Sequence, residues 1–182
     1  MLINSNDTKD YLYSRQHEYV KQIENKVKIA CGAYVAAAVL ILILPIFTAV
    51  PRGNTEMGYV ETINWWAAGF ALAAAVYGFI QYTFFDGADS FKYSPRFTGP
   101  AAVALGAILI FAGIWFIKGP ELAAEYEGTD TVFDMLTTSY KINYIGPCTY
   151  LVCMAVGVIL MERVGKSMDE LIKIDQILQS GE

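Results

Sequence analysis

The stretch IACGAYVAAAVLILILPIFTAV, residues 29–50, carries no charged side chain over 22 positions. A helix rising 1.5 Å per residue needs about 20 residues to cross the ~30 Å of hydrocarbon in a bilayer. Working outward, residues 62–85, 97–117 and 142–161 are neutral and apolar in the same way. A buried core helix of a soluble protein would explain one short run, but not four of this length. The chain has 182 residues, 55% of them hydrophobic and only 17% charged, too few charges to cover a water-solvated exterior. The first run starts late and is too long for the apolar core of a signal peptide, so an uncleaved span is expected.

In hydrocarbon each unpaired backbone N–H or C=O costs several kcal/mol, so a span must be a helix or part of a closed barrel. Barrel strands are short and alternate polar with apolar residues, and these runs do neither. The breakers fall near run ends: Pro51 closes the first, Gly99-Pro100 opens the third, Gly119-Pro120 follows it, and Gly146-Pro147 opens the fourth. Proline near a helix start removes an N–H that had no partner anyway. Pro45 lies inside the first run, where a kink is expected.

These runs predict an all-α membrane protein, with four transmembrane helices in a bundle and a helical arm at each end. The N-terminal arm covers 1–28, the membrane domain 29–161 and the C-terminal amphipathic helix 162–182. Lys9, Arg15, Lys21, Lys26, Lys28, Lys92, Arg96, Arg163, Lys166 and Lys173 flank one side of the spans, and only Arg52, Lys118 and Lys141 the other. Cationic flanks stay inside, so ten against three predicts cytoplasmic termini. Trp65, Trp66 and Trp115 then fall at the outer interface with Tyr140 and Tyr144, while Tyr82, Phe84, Phe85 and Phe97 mark the inner one. Residence in the cell membrane is expected.

Lipid is as apolar as leucine, so helices in it associate through close packing of small residues. Ala67, Ala71 and Ala75 form such a stripe on the second span, with Ala74 and Gly78 beside it. Gly99, Ala102, Gly106 and Gly113 form another on the third, Gly32 with Ala36 and Ala33 with Ala37 a third on the first. Cys153 and Gly157 are similarly placed on the fourth. The plain expectation is that these faces pack the bundle together; the sharper one is that the glycine ridge docks another subunit.

Asp7 is a candidate cap for the first arm, in which Tyr13, Val20 and Val27 recur every seven residues beside Ile23 and Ala30. Two repeats fall short of a coiled coil, and Gln16 interrupts them. The second arm opens with Ser167-Met168-Asp169-Glu170, a capping-box pattern. Met168, Leu171, Ile174 and Leu178 then share one face, widened by Ile172 and Ile177. It can pack on the first arm, lie on the inner leaflet or bind a partner. Asp169, Glu170 and Asp175 outnumber Lys166 and Lys173, whereas a leaflet-bound helix usually has a basic polar face. Protein contact is therefore preferred.

Chemistry is sparse. The one histidine, His17, lies in an arm, which removes bis-histidine haem and histidine-rich metal sites. No charge lies within a span, against the buried relays of ion-coupled transport. A Gly-rich phosphate loop, His-Glu-x-x-His and Gly-x-Ser-x-Gly are all missing. A four-span thiol oxidoreductase would need Cys-x-x-Cys or paired cysteines in outer loops; Cys31, Cys148 and Cys153 offer neither and read as packing residues. Glu56, Glu61, Glu121, Glu125, Glu127, Asp130 and Asp134 make the outer loops acidic, and a solvated polar surface accounts for them. Residues 86–90, DGADS, read as a turn.

The expectation is a non-enzymatic membrane protein, self-associating or accessory in a larger assembly, without catalytic residues, cofactor or metal. Its partners would be the lipid bilayer and further copies of itself or other membrane subunits, with no nucleic acid. An oligomeric channel lined by Asn64, Tyr77 and Gln81 is the first alternative. A lipid- or quinone-linked enzyme is the second.

Overall fold

The computed structural model describes residues 5–44, 47–50, 58–86, 97–118, 139–142 and 145–180. Four helices dominate it: α1 (Ser5–Ile43), α2 (Gly58–Asp86), α3 (Thr98–Ala112) and α4 (Ile145–Ser180). The last turn and a half of the third helical segment, Gly113–Lys118, is wound as a π-helix. Strands β1 (Phe47–Val50) and β2 (Ser139–Ile142) pair antiparallel, Phe47 opposite Ile142 and Val50 opposite Ser139. Three helical segments are long and apolar enough to cross a membrane: Lys9–Ile43, Thr98–Ile117 and Ile145–Leu178. This is the make-up of an integral membrane protein. Helix α2 has the length, at 29 residues, and its residues 62–85 carry no charge, but it is not one of these three.

The helices form a closed ring of neighbours in which α1 touches α2 and α4, and α3 touches the same two. Successive helices run in opposite directions. Lys26 near the start of the ring meets Ser167 near its end, and Leu44 at the far end of α1 meets Gly146 at the start of α4. The ends of α1 and α4 that carry the chain termini therefore lie together, and the β-ribbon joins the opposite ends.

Two boundaries depart from the sequence reading. The first run was expected to stay helical to residue 50, but α1 stops at Ile43, its last bond being Leu44 N–H to the carbonyl of Leu40 at 2.8 Å. The ring of Pro45 disfavours helical geometry at the residue before it, so the helix ends there instead of kinking. Phe47-Thr48-Ala49-Val50 then adopts the extended form that its aromatic and β-branched residues favour. The fourth run was expected to begin at 142, but Ile142 belongs to β2 and α4 starts at Ile145.

The N-terminal arm runs without a break into the first span, as its sequence has no breaker there, and the C-terminal arm is likewise continuous with the last span. Helix α1 has 39 residues and α4 has 36, so they extend about 58 and 54 Å and outrun a ~30 Å hydrocarbon layer by more than 20 Å. The capping box at Ser167 is absent as such: its hydroxyl lies inside α4 and donates to the carbonyl of Arg163 at 3.0 Å, four residues back. Likewise α1 begins at Ser5, ahead of Asp7. Pro45, Pro51, Gly119-Pro120, Tyr144 and residues 87–90 lie outside the described residues, as do all the outer acidic positions except Glu61, whose side chain is likewise outside the description.

Candidate functional site

The interior of the bundle is built from two kinds of fit. On α2 the stripe of Ala67, Ala68, Ala71, Ala74 and Ala75 is buried, which lets the neighbouring α1 and α3 approach its backbone closely. On α1 and α4 a large residue fills a glycine hole. The fully buried ring of Tyr34 occupies the space in front of Gly157, so any Cβ there would collide with its Cδ1, Cε1 and Cζ carbons. Gly78 plays the same part for Met161 and Cys31, a Cβ there standing 2.6 Å from Met161 Cε and 3.1 Å from Cys31 Sγ. Cys31 also donates to the carbonyl of Ala75 at 3.5 Å.

At the β-ribbon end the Tyr150 hydroxyl donates to the carbonyl of Ala67 at 3.0 Å, tying α4 to α2. Its ring lies 4.5 Å from that of Phe111, which in turn meets Trp115 edge-on at 6.1 Å. Trp115 is fully buried, so it is a core residue at that end of the bundle and not one of the interfacial belt expected from sequence. Trp65 and Trp66 are 65% and 67% exposed. Among the described residues, two buried side-chain oxygens have no hydrogen-bond partner, the Tyr34 hydroxyl and Oδ1 of Asn64.

The glycine ridge of α3 divides. Gly99 is covered by the ring and hydroxyl of Tyr77. Gly106 and Gly113 have no neighbouring atom within 4 Å of where a Cβ would stand, and Ala102 is exposed. Within one copy of the chain, then, the inner-facing residues of this segment are Pro100, Ala104, Ala107, Phe111 and Trp115, and the upper ridge faces away from the core. Sequence alone could not orient α3, because nearly every position on it is apolar or small.

In the terminal arms, Met168 and Leu171 are buried beside Ile23 and Val27, while Ile174 and Leu178 are half-buried and Ile177 is exposed. The apolar face of the last helix is thus largely occupied by α1, the first of the three possibilities open from sequence. Lys26 Nζ donates to Ser167 Oγ at 3.0 Å across the pair. Glu24 pairs with Lys28, and that ammonium holds its carboxyl below the ordinary carboxylate range, the Tyr82 hydroxyl of α2 adding a smaller push the same way. His17 is exposed.

All three cysteines are free: Cys31 and Cys153 are partly buried, and Cys148 is exposed and so does not pack as expected. Among the described residues no group of three or more His, Cys, Asp or Glu lies close enough to hold a metal ion. The polar residues of α2 face different surroundings, Asn64 inward, Tyr77 over Gly99 and Gln81 half-buried. No protein-family model matches this chain, and no similar curated protein or solved structure was found.

Proposed function

We propose that this chain is a non-enzymatic subunit of a membrane assembly, associating with copies of itself or with other membrane proteins. The observation that carries this reading is the upper ridge of α3: Ala102 is exposed, and among the described residues no atom stands within 4 Å of where a Cβ would be at Gly106 or Gly113. Small faces are what helices in lipid use to approach one another. The stalk formed by the paired ends of α1 and α4 gives a second surface for soluble partners.

The same proposal takes α2 as a fourth span. It is about 43 Å long, runs antiparallel to α1 and lies between helices that are themselves long and apolar. The ten-to-three distribution of Lys and Arg puts both termini, and with them the stalk, in the cytoplasm of a cell-membrane protein. The channel alternative would need several copies around a shared path, since Tyr34, Tyr150 and Trp115 fill the interior of one bundle.

The deciding experiment is the mass of the detergent-purified particle, by light scattering, for the natural chain and for Gly106→Leu. A mass above one chain that falls to one chain on substitution supports association through the ridge. A single-chain mass for the natural protein, unchanged by substitution, sinks it.

A further inference from the structure

One face of α2 is concave. Trp65, Trp66, Gly69, Phe70 and Ala73 bound a groove of about 460 Å³ on the side of the helix opposite its buried alanines. Trp65, Gly69 and Ala73 follow one another at four-residue spacing, so they form a lane roughly parallel to the helix axis. Trp66 and Phe70, whose ring centroids are 6.5 Å apart, wall it on one side. Gly69 is the floor: nothing stands within 4 Å of where its Cβ would be. If α2 is the fourth span proposed above, on which this inference rests, the lane starts at headgroup depth and descends along the bilayer normal.

The size of the groove selects its occupant. A stable protein interface takes about 20–30 residues a side, and the described lining here is five. A partner helix is about 10 Å across and prefers a flat, small-residue face, which the projecting rings of Trp65, Trp66 and Phe70 deny it. A flexible unbranched chain has no such difficulty, and the lining carries no charge that would oppose it. Indole N–H groups at headgroup depth suit the ester carbonyls above such a chain. We propose that this lane binds one acyl chain of a bilayer phospholipid, held longer than the lipids that pass along the rest of the surface.

The test uses the full chain, natural and Gly69→Leu, in phosphatidylcholine vesicles containing a rising fraction of lipid with brominated acyl chains. Bromine quenches tryptophan fluorescence on contact, and buried Trp115 gives the same background in both proteins. The substitution fills an open floor and improves helix propensity, so the fold is retained. The natural chain should reach half-maximal quenching at a brominated fraction about two- to threefold lower than Gly69→Leu, the modest preference that ring–methylene packing supplies. Coincident curves with strong quenching would remove the lipid site while leaving the fourth span intact. Absence of quenching in both proteins would remove α2 from the bilayer, and the lipid site with it. Weaker quenching in the natural chain than in Gly69→Leu, together with a particle mass that drops on substitution, would assign the groove to a second copy instead.

Discussion

Helices α1 and α4 lie side by side for almost their whole lengths, and they are joined differently at their two ends. Near the termini the seam consists of Ile23 and Val27 against Val164, Met168 and Leu171, ordinary hydrophobic residues that leave water by pairing. Toward the β-ribbon it consists of Tyr34 set into Gly157, and Gly146 close enough to Leu44 that a Cβ would stand 2.8 Å from its carbonyl oxygen. The difference follows from the solvent. In water, burying apolar area stabilises by about 25 cal/mol per Å², so any well-sized hydrophobe serves. In lipid that term is missing and only closeness of fit remains, so the holes must match what fills them.

The largest expected effect breaks that fit. Gly157→Leu drives four carbons into a rigid ring and should lower stability by about 3 kcal/mol, toward the upper end of what overpacking costs. Thermal unfolding in detergent would show it, and adding Tyr34→Ala should recover part of the loss because the two changes share one space. If Gly157→Leu melts with the natural chain, the glycine hole is not what holds this half of the pair.

The counterpart in the stalk is Leu171→Ala, which empties a fully buried site and should cost about 2–3 kcal/mol. Its effect should be local. Amide exchange should quicken in the arm portions of α1 and α4 and stay slow in the membrane half, because the stalk opens without disturbing the glycine holes. Equal loss of protection along both helices would mean that the two regions unfold as one, with no separate stalk.

This seam also marks how far the sequence could be read. With Ala38 and Ser167 set aside, its buried positions are 150, 154, 157, 161, 164, 168 and 171 on α4 and 23, 27, 30, 34, 37 and 41 on α1, alternating steps of four and three. That is a heptad pattern running from the stalk into the membrane half. The sequence showed only its terminal part, Val20, Ile23, Val27 and Ala30, because there the intervening residues are polar; Tyr13, read as the first position of that repeat, is exposed. Past Ile29 almost every residue is apolar, and a period cannot be seen without contrast. The number of helical runs was legible for the opposite reason, the sharp change from charged to neutral sequence at Lys28 and Met161. The faces of α3 were not legible, since Gly106 and Ala107 look alike in sequence and differ only in what stands opposite them.

A smaller effect of opposite sign is expected at Asn64, whose Oδ1 is buried at the β-ribbon end without a hydrogen-bond partner. An unmet acceptor in an apolar interior costs about 1–3 kcal/mol, and Asn64→Leu removes it at similar volume. The substituted chain should therefore melt higher, by roughly 1 kcal/mol of added stability once imperfect packing is discounted. A destabilised Asn64→Leu would show that the oxygen has a use in the assembled protein, such as contact with another subunit.

The smallest effect sharpens the account of the stalk, which holds a polar cross-link within its hydrophobic seam. The Lys26 ammonium donates to Ser167 Oγ at 3.0 Å, and the Ser167 hydroxyl donates in turn to the Arg163 carbonyl at 3.0 Å. Ser167 is buried and Lys26 half-buried, so the bond is partly shielded from water and salt. Ser167→Ala leaves the ammonium with Gln22 Oε1 at 3.5 Å, a long contact, and should cost about 1 kcal/mol. Lys26→Met keeps most of the aliphatic stem and loses the charge, so it isolates the donor from the packing that the stem provides. A double-mutant cycle on these two positions should give a coupling of about 0.5–1.5 kcal/mol, read from chemical unfolding of the stalk. Additive effects would mean that the hydroxyl serves α4 alone, and that the hydrophobic seam joins the arms without help from this bond.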